Sequence, residues 1–393
     1  MDMGDVPIKA KMGLIMSGGG ARAAYQVGVL KAIAQILPGG HPQPFQIICG
    51  ASAGAINSTA LAVYAPNFRN AVRRLEKVWA NFQVHHVFRA DTTGMLRNWL
   101  RWWSALFMGG MGGGIPVALL DRAPLRALLA RTLPCERIQD AIDAGLLHAI
   151  SIAASGYSSG QSVNFFQGAD GIPTWRRASR VGCAARIGID HLMASSAIPF
   201  LFEAVRINRE YFGDGSMRQI APTSPAIHFG ADRILVIGVR QERNGTPPRA
   251  NQPSEYPSLA QIGGHVLSSI FLDAMEADLE RLNRINETLS LIPSHVLIDT
   301  GKHATLRRVD TLLIAPSQDI GAIAARYKHH FPRPMRFLMR GLGAYRRGGA
   351  DLLSYLLFEK PYCRELIDLG YADAMRRREQ VAEFFRPALA GAG

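Results

Sequence analysis

Three corners built from small residues hold the groups best suited to chemistry. In Gly50-Ala51-Ser52-Ala53-Gly54, an apolar run at Ile47-Ile48-Cys49 meets a small-residue, helix-compatible run over 53–62. A strand that turns into a helix at G-x-S-x-G lifts the serine hydroxyl above the strand end, which makes Ser52 a candidate nucleophile. Gly50 and Gly54 stand where any side chain would collide across the bend. The second corner, Gly18-Gly19-Gly20, follows an apolar run over 13–17 and precedes a helix expected over 21–37. Backbone amides at such a helix start cradle negative charge. The third, Asp214-Gly215-Ser216, sets an acid on a tight turn, where it can accept a proton from a serine hydroxyl.

Two βα units in succession put the first two corners on one edge of a parallel sheet. If the units are neighbours, the amides of Gly19 and Gly20 face the Ser52 hydroxyl, the arrangement acyl transfer requires. Gly18, Gly20 and Ala23 also satisfy G-x-G-x-x-A, a dinucleotide fingerprint. That motif needs an acid about 20 residues on to hold the ribose hydroxyls. None occurs between Asp5 and Glu76, so a nicotinamide cofactor is set aside. Six histidines follow Asp214, namely His228, His265, His295, His303, His329 and His330, so a Ser-Asp-His triad also remains open.

The positioning elements follow from periodicity. A basic amphipathic helix is expected over 67–84, and further helices over 124–132 and 136–147. A hairpin is expected from strands at 148–156 and 161–166 around Ser158-Ser159-Gly160. A helix over 189–196 stops at Pro199, and strands near 202–207 and 210–212 lead to Asp214. Strands at 233–239 and 308–315, one or two helices over 256–284, and two helices over 349–387 complete the reading. The segment 244–257, with four prolines, is the most loop-like. Leu96, Trp99, Leu100, Trp103, Leu106 and Phe107 recur at helical spacing, as either an interfacial lid or an ordinary core stripe.

Composition narrows the class. The 393 residues are 48% hydrophobic and 19% charged, as in a globular protein with a large core. The net charge is +13, and residues 301–350 hold ten Lys or Arg against two acids. Lys328, His329, His330, Arg333, Arg336, Arg340, Arg346 and Arg347, interleaved with Phe331, Phe337, Leu338 and Tyr345, suit an anionic membrane surface. No nucleic-acid-binding signature accompanies them. Cys49, Cys135, Cys183 and Cys363 form no C-x-x-C pair, so neither a zinc site nor a disulfide scaffold is expected, and a reducing compartment fits. The first eleven residues contain no apolar signal-peptide core. The uncharged stretch 102–120 carries five glycines and a proline, unfavourable for a lone spanning helix. A cytoplasmic protein, peripheral on the inner face of a membrane, is the expectation.

Taken in order, Gly18-Gly19-Gly20-Ala21-Arg22, Gly50-Ala51-Ser52-Ala53-Gly54, Ala197-Ile198-Pro199-Phe200 and Asp214-Gly215-Ser216 resemble the motifs of the patatin-like phospholipase family. Ala23 replaces a frequent third glycine, and Ser216 a usual Gly or Ala. The resemblance implies an α/β fold, a three-layer α/β/α sandwich with a mainly parallel central sheet. It spans about 12–230, leaving 231–393 to complete the sheet and add a basic helical extension. It further implies hydrolysis of acyl esters in phospholipids, lysophospholipids or neutral lipids by a Ser52–Asp214 dyad, without metal or cofactor. Gly18, Gly19, Gly20 and Ala53 would form the oxyanion hole. Gly50, Gly54 and Gly215 would support the corners, and Arg22 would stabilise the glycine corner or bind a phosphate. An acyltransferase using the same acyl-enzyme, or an idle membrane-binding protein, are the alternatives.

Overall fold

The computed structural model describes residues 10–89, 118–241, 256, 258–269, 274–292, 307–345 and 349–390. The tryptophan-rich segment around 96–107, most of the proline-rich segment, and Arg346, Arg347, His295 and His303 lie outside them.

The strands are β1 (Met12–Met16), β2 (Ile47–Ala51), β3 (Ala149–Gly156), β4 (Ser162–Gly168), β5 (Trp175–Arg177), β6 (Arg180–Ala184), β7 (Val205–Ile207), β8 (Glu210–Asp214), β9 (Arg233–Ile237) and β10 (Asp310–Ile314). They form one sheet in the order β10-β9-β1-β2-β3-β4-β6-β5, with β8 paired to β3 and β7 to β8. The run from β10 to β3 is parallel throughout. Strands encoded after residue 230 therefore flank β1, on the side away from β2.

The sheet is buried on both faces, as a parallel sheet of Ile, Leu and Val must be. On β1, Leu14 and Met16 enter one core and Ile15 the other. On β9, Leu235 and Ile237 join the first, Ile234 and Val236 the second. This is a three-layer α/β/α sandwich with additional C-terminal helices. No described helix is long and apolar enough to cross a membrane.

Helix α1 (Ala24–Ile36) follows a 3-10 turn at Gly20–Ala23, so the glycine corner tightens before the helix proper begins. Helix α2 is Ala53–Val63 and α3 is Phe68–Trp79, capped by the Asn67 side chain on the amide of Asn70. The sequence pattern extends this helix to 84, but it ends at Trp79. The hairpin β3–β4 forms as expected. The β5–β6 hairpin gives little periodic signal, because Gly182 and exposed arginines interrupt the alternation. The final stretch forms three helices rather than two, Ala350–Leu356, Lys360–Arg376 and Arg378–Ala390. The extra break falls at residues 357–359, where Pro361 opens the second of them.

Helix Lys360–Arg376 lies directly on α1. A Cβ at Gly28 would come within 1.9 Å of the Ile367 carbonyl oxygen, and one at Gly370 within 2.2 Å of that of Tyr25. Only a pair of glycines permits backbones to approach so closely. Gly28→Ala is expected to destabilise the protein by about 1–3 kcal/mol. Gly263→Ala, at a helical site with nothing within 4 Å, should stabilise it by about 1 kcal/mol. Urea unfolding of the two variants checks both, and equal effects would contradict the packing.

Candidate active site

Register brings the serine and the acid together. Ala51 on β2 pairs with Ala153 on β3, and Asp214 on β8 pairs with Ala154, one residue further along. β8 thus takes over the β3 edge where β2 leaves it, and the residue after Ala51 is Ser52. Gly215 makes the approach possible, since a Cβ there would lie 2.1 Å from the Ala153 carbonyl oxygen.

Ser52 sits at φ 52°, ψ −126°, a left-handed backbone that a non-glycine residue adopts only under constraint. A Cβ at Gly50 would strike Ser58 Oγ at 2.5 Å and the Gly54 carbonyl oxygen at 2.6 Å. One at Gly54 would strike the carbonyl oxygens of Met16 at 2.3 Å and Ser17 at 2.6 Å. The second contact also docks the serine corner on the end of β1, from which the glycine corner departs. The Ser52 amide donates to Ser195 Oγ at 2.9 Å. Ser195 is fully buried at the end of helix Ile189–Ser195, and no sequence motif points to it.

Gly20 and Ala53 open their helices, so their amides have no intrahelical acceptor. Both line the same cavity as Ser52. Gly18 and Gly19 lie immediately before Gly20 and are buried, with Gly19 fitted against Val239. Gly20 has φ +55°, and a Cβ there would lie 2.2 Å from the Tyr355 carbonyl oxygen. Arg22 explains that contact. It is 3% exposed, donates from Nε to Ser354 Oγ at 2.7 Å and from Nη2 to Asp351 Oδ1 at 2.9 Å, and stacks 4.2 Å from the Tyr355 ring centroid. These contacts tie the glycine corner to helix Ala350–Leu356 and engage the Arg22 guanidinium.

Asp214 is fully buried. Its amide donates to the Ala197 carbonyl at 2.9 Å, which places the Ala197-Ile198-Pro199-Phe200 motif behind the acid. Oδ1 accepts from the Ser216 amide at 2.9 Å. The Ser52 hydroxyl lies near enough to favour the charged carboxylate. Oδ2 has no hydrogen-bond partner among the described residues, which leaves it as an open acceptor. Burial pushes the Asp214 pKa up to about 6, against the lowering influence of Ser52, Ser216 and the Arg122 cation. Arg122 is itself buried, and burial brings it down to about 10. It donates to the carbonyls of Met193 and Glu203 and to Ser196 Oγ. Sequence reasoning missed it, since nothing local marks an arginine whose partners lie 71 to 81 positions away.

Ser52 opens into a cavity of about 590 Å³ between α2, α3 and helix Ala123–Thr132. Ile56, Leu75, Val78, Leu125, Leu129 and Phe202 are among its walls, and the exposed Arg74, Lys77 and Arg131 mark an opening. No Asp or Glu is among its described lining residues. Of the histidines after Asp214, none of His228, His265, His329 and His330 lines it. His228 instead reaches the Pro173 carbonyl.

The raised Asp214 pKa has a stability consequence. A carboxyl whose native pKa exceeds its ordinary 3.8 makes the fold lose stability as pH rises from about 4 to about 6, and the loss persists above. Asp214→Asn removes the buried charge while keeping an acceptor for Ser216. It should stabilise the protein at pH 7.5 by on the order of 2–3 kcal/mol, and the gain should shrink towards pH 4. Denaturant unfolding at the two pH values checks this, and a variant less stable than wild type at pH 7.5 would contradict it.

Comparison with known proteins adds the lineage. A "cGAMP-activated phospholipase" of Pseudomonas aeruginosa (strain BWHPSA011 / Pa011) is 27% identical over 217 residues, 55% of this chain and 55% of that protein. The chain thus spans about half the length of this curated relative. The crystal structure of VipD from Legionella pneumophila aligns over 92% of this chain and 67% of its own, with 13% identity and a TM-score of 0.30. The family model "Patatin-like phospholipase" matches residues 14–227. With more than half of its length matched, the chain belongs to the patatin-like phospholipase family.

Proposed function

We propose that the protein is a serine lipid-acyl hydrolase cleaving acyl esters of phospholipids, lysophospholipids or neutral lipids. The observation that carries this reading is a strained Ser52 opening on an apolar cavity, with a buried carboxyl beside it. Ser52 Oγ attacks the ester carbonyl while Asp214 Oδ2 takes its proton. A carboxylate with pKa about 6 remains ionised at neutral pH yet is a stronger base than an exposed one. The amides of Gly19, Gly20 and Ala53, in the corner shaped by Gly18, hold the oxyanion, each donor being worth about 3 kcal/mol of barrier. Asp214 returns the proton to the leaving alkoxide, then draws one from the water that attacks the acyl-enzyme and passes it to the departing Ser52 Oγ.

The apolar walls suit an acyl chain, and the three cations at the opening, without a carboxylate, suit an anionic head group. The peripheral membrane reading has its own support. Phe337 is 83% exposed on helix Arg333–Gly341 among Arg333, Arg336 and Arg340. Leu259, Ile262 and Val266 form an exposed stripe on the helix that follows Ser258, whose start bonds to the Leu342 carbonyl. Cations flanking apolar side chains of this kind favour anionic bilayers.

Fatty-acid release from anionic and neutral vesicles tests the reading. Ser52→Ala should lose at least about 10³-fold in rate, with faster wild-type turnover on anionic vesicles. Ala60→Leu, narrowing the cavity wall, should lower long-chain ester turnover more than that of butyrate esters. Full activity of Ser52→Ala, or equal effects on both chain lengths, would sink the respective assignment.

A further inference from the structure

A second cavity, of about 190 Å³, lies in the other core layer between the β5–β6 hairpin and helix Ala274–Ser290. Arg177 and Arg180 are directly paired across the two-residue hairpin turn, so their side chains share one sheet face. Trp175, two residues before Arg177, projects on that face too, over Gly182, whose missing side chain leaves room for the indole. Arg281 reaches the cavity from the helix opposite.

Like charges directly opposite each other on paired strands are destabilising, and a third guanidinium adds to the repulsion. The guanidinium groups of Arg177 and Arg180 have no hydrogen-bond or ion-pair partner among the described residues, although their backbones are paired in the sheet. The one acid in the cavity, Asp278, is occupied on Oδ2 by the amide and hydroxyl of Thr223, at 2.9 and 2.5 Å. It stands 3.7 Å from Arg281. Burial lowers the Arg180 pKa; Asp278 opposes that shift, and Arg177 and Arg281 add to it. His228, ring to ring with Trp175 at 4.1 Å, is held towards its neutral form chiefly by burial and also by Arg177. Three guanidinium groups against one engaged carboxylate leave the cavity with a surplus of two positive charges.

We propose that this cavity binds the phosphate group of a phosphomonoester, with Arg177 and Arg180 as a paired fork and Arg281 closing from the helix. The charge surplus matches a phosphate dianion, and planar guanidinium forks match its oxygens bidentately. Trp175 and Leu282 supply an apolar wall for the group that carries the phosphate. The site lies away from Ser52 and does not rest on the acyl hydrolase reading. Its ligand is either a free phosphomonoester or a lipid head group of that chemistry.

Calorimetric titration with glycerol 3-phosphate, and sedimentation with phosphatidic acid against phosphatidylcholine vesicles, test it in wild type and in R177Q/R180Q. Circular dichroism serves as the folding control. Binding of glycerol 3-phosphate by wild type, weakened roughly tenfold to hundredfold in the double variant, supports a free ligand. Loss of selective binding to phosphatidic acid in the variant, without glycerol 3-phosphate binding, supports a head group. In phosphate-free buffer R180Q should also raise the Tm, because it removes a repulsion that no ligand offsets. Binding unchanged in the double variant, or no binding in either arm, overturns the proposal.

Discussion

The left-handed backbone at Ser52 is the constraint on which the rest of the fold depends. A non-glycine residue held there stores roughly 1–3 kcal/mol of strain, and packing on three sides keeps it in place. Gly50 and Gly54 let α2 fold back onto β2 and the end of β1, and Ser195 takes the Ser52 amide. Each contact recruits an element. Gly54 needs β1 beside β2, Ser195 needs helix Ile189–Ser195 beneath the bend, and Gly215 needs β8 on the β3 edge. The strand order around the corner follows from these close approaches.

The electrostatics are organised around a carboxyl that the fold shields from water. Burial is the largest influence on Asp214, and it outweighs the serine, the Ser216 contacts and Arg122 together, since the net shift is upward. Arg122 moderates that cost without abolishing it, for its own charge is desolvated as well. A fold selected for stability alone would place a neutral side chain at this position. The retained carboxyl keeps one oxygen on the Ser216 amide and leaves the other without a hydrogen-bond partner among the described residues, a cost in stability that a neutral side chain would avoid.

The glycine corners were legible in the sequence as turns because each is a local event: glycines at fixed offsets beside a predicted strand or helix. The strands β1, β2 and β9 were legible from their apolar runs, and a parallel arrangement of the first two from the two successive βα units. Ser195 and Arg122 were not legible, because each acts through contacts over 70 or more positions that leave no spacing signal. The role of helix Ala350–Leu356 was hidden for the same reason. Arg22 gives no hint that its partners are Asp351 and Ser354, more than 300 positions on. The β5–β6 hairpin escaped notice because Gly182 and the charged residues around the turn break the period-two pattern. Helix ends were misplaced at residues 80–84, where the chain turns before the short helix Val84–Val87.

The C-terminal region is structurally bound to the site. Helix Ala350–Leu356 presses the Tyr355 carbonyl against Gly20 and places Leu356 in the cavity wall, while helix Lys360–Arg376 locks α1 from outside. The glycine corner is therefore shaped as much by residues near 355 as by its own sequence. The most direct measurement is the rate of covalent labelling of Ser52 by a fluorophosphonate across pH, in wild type and Asp214→Asn. If the buried carboxylate draws the serine proton, the wild-type rate rises through a midpoint of about 6. The variant is then slower by about 10²-fold or more and shows no such step. Equal rates in the two proteins, or a wild-type profile flat across that range, would contradict it.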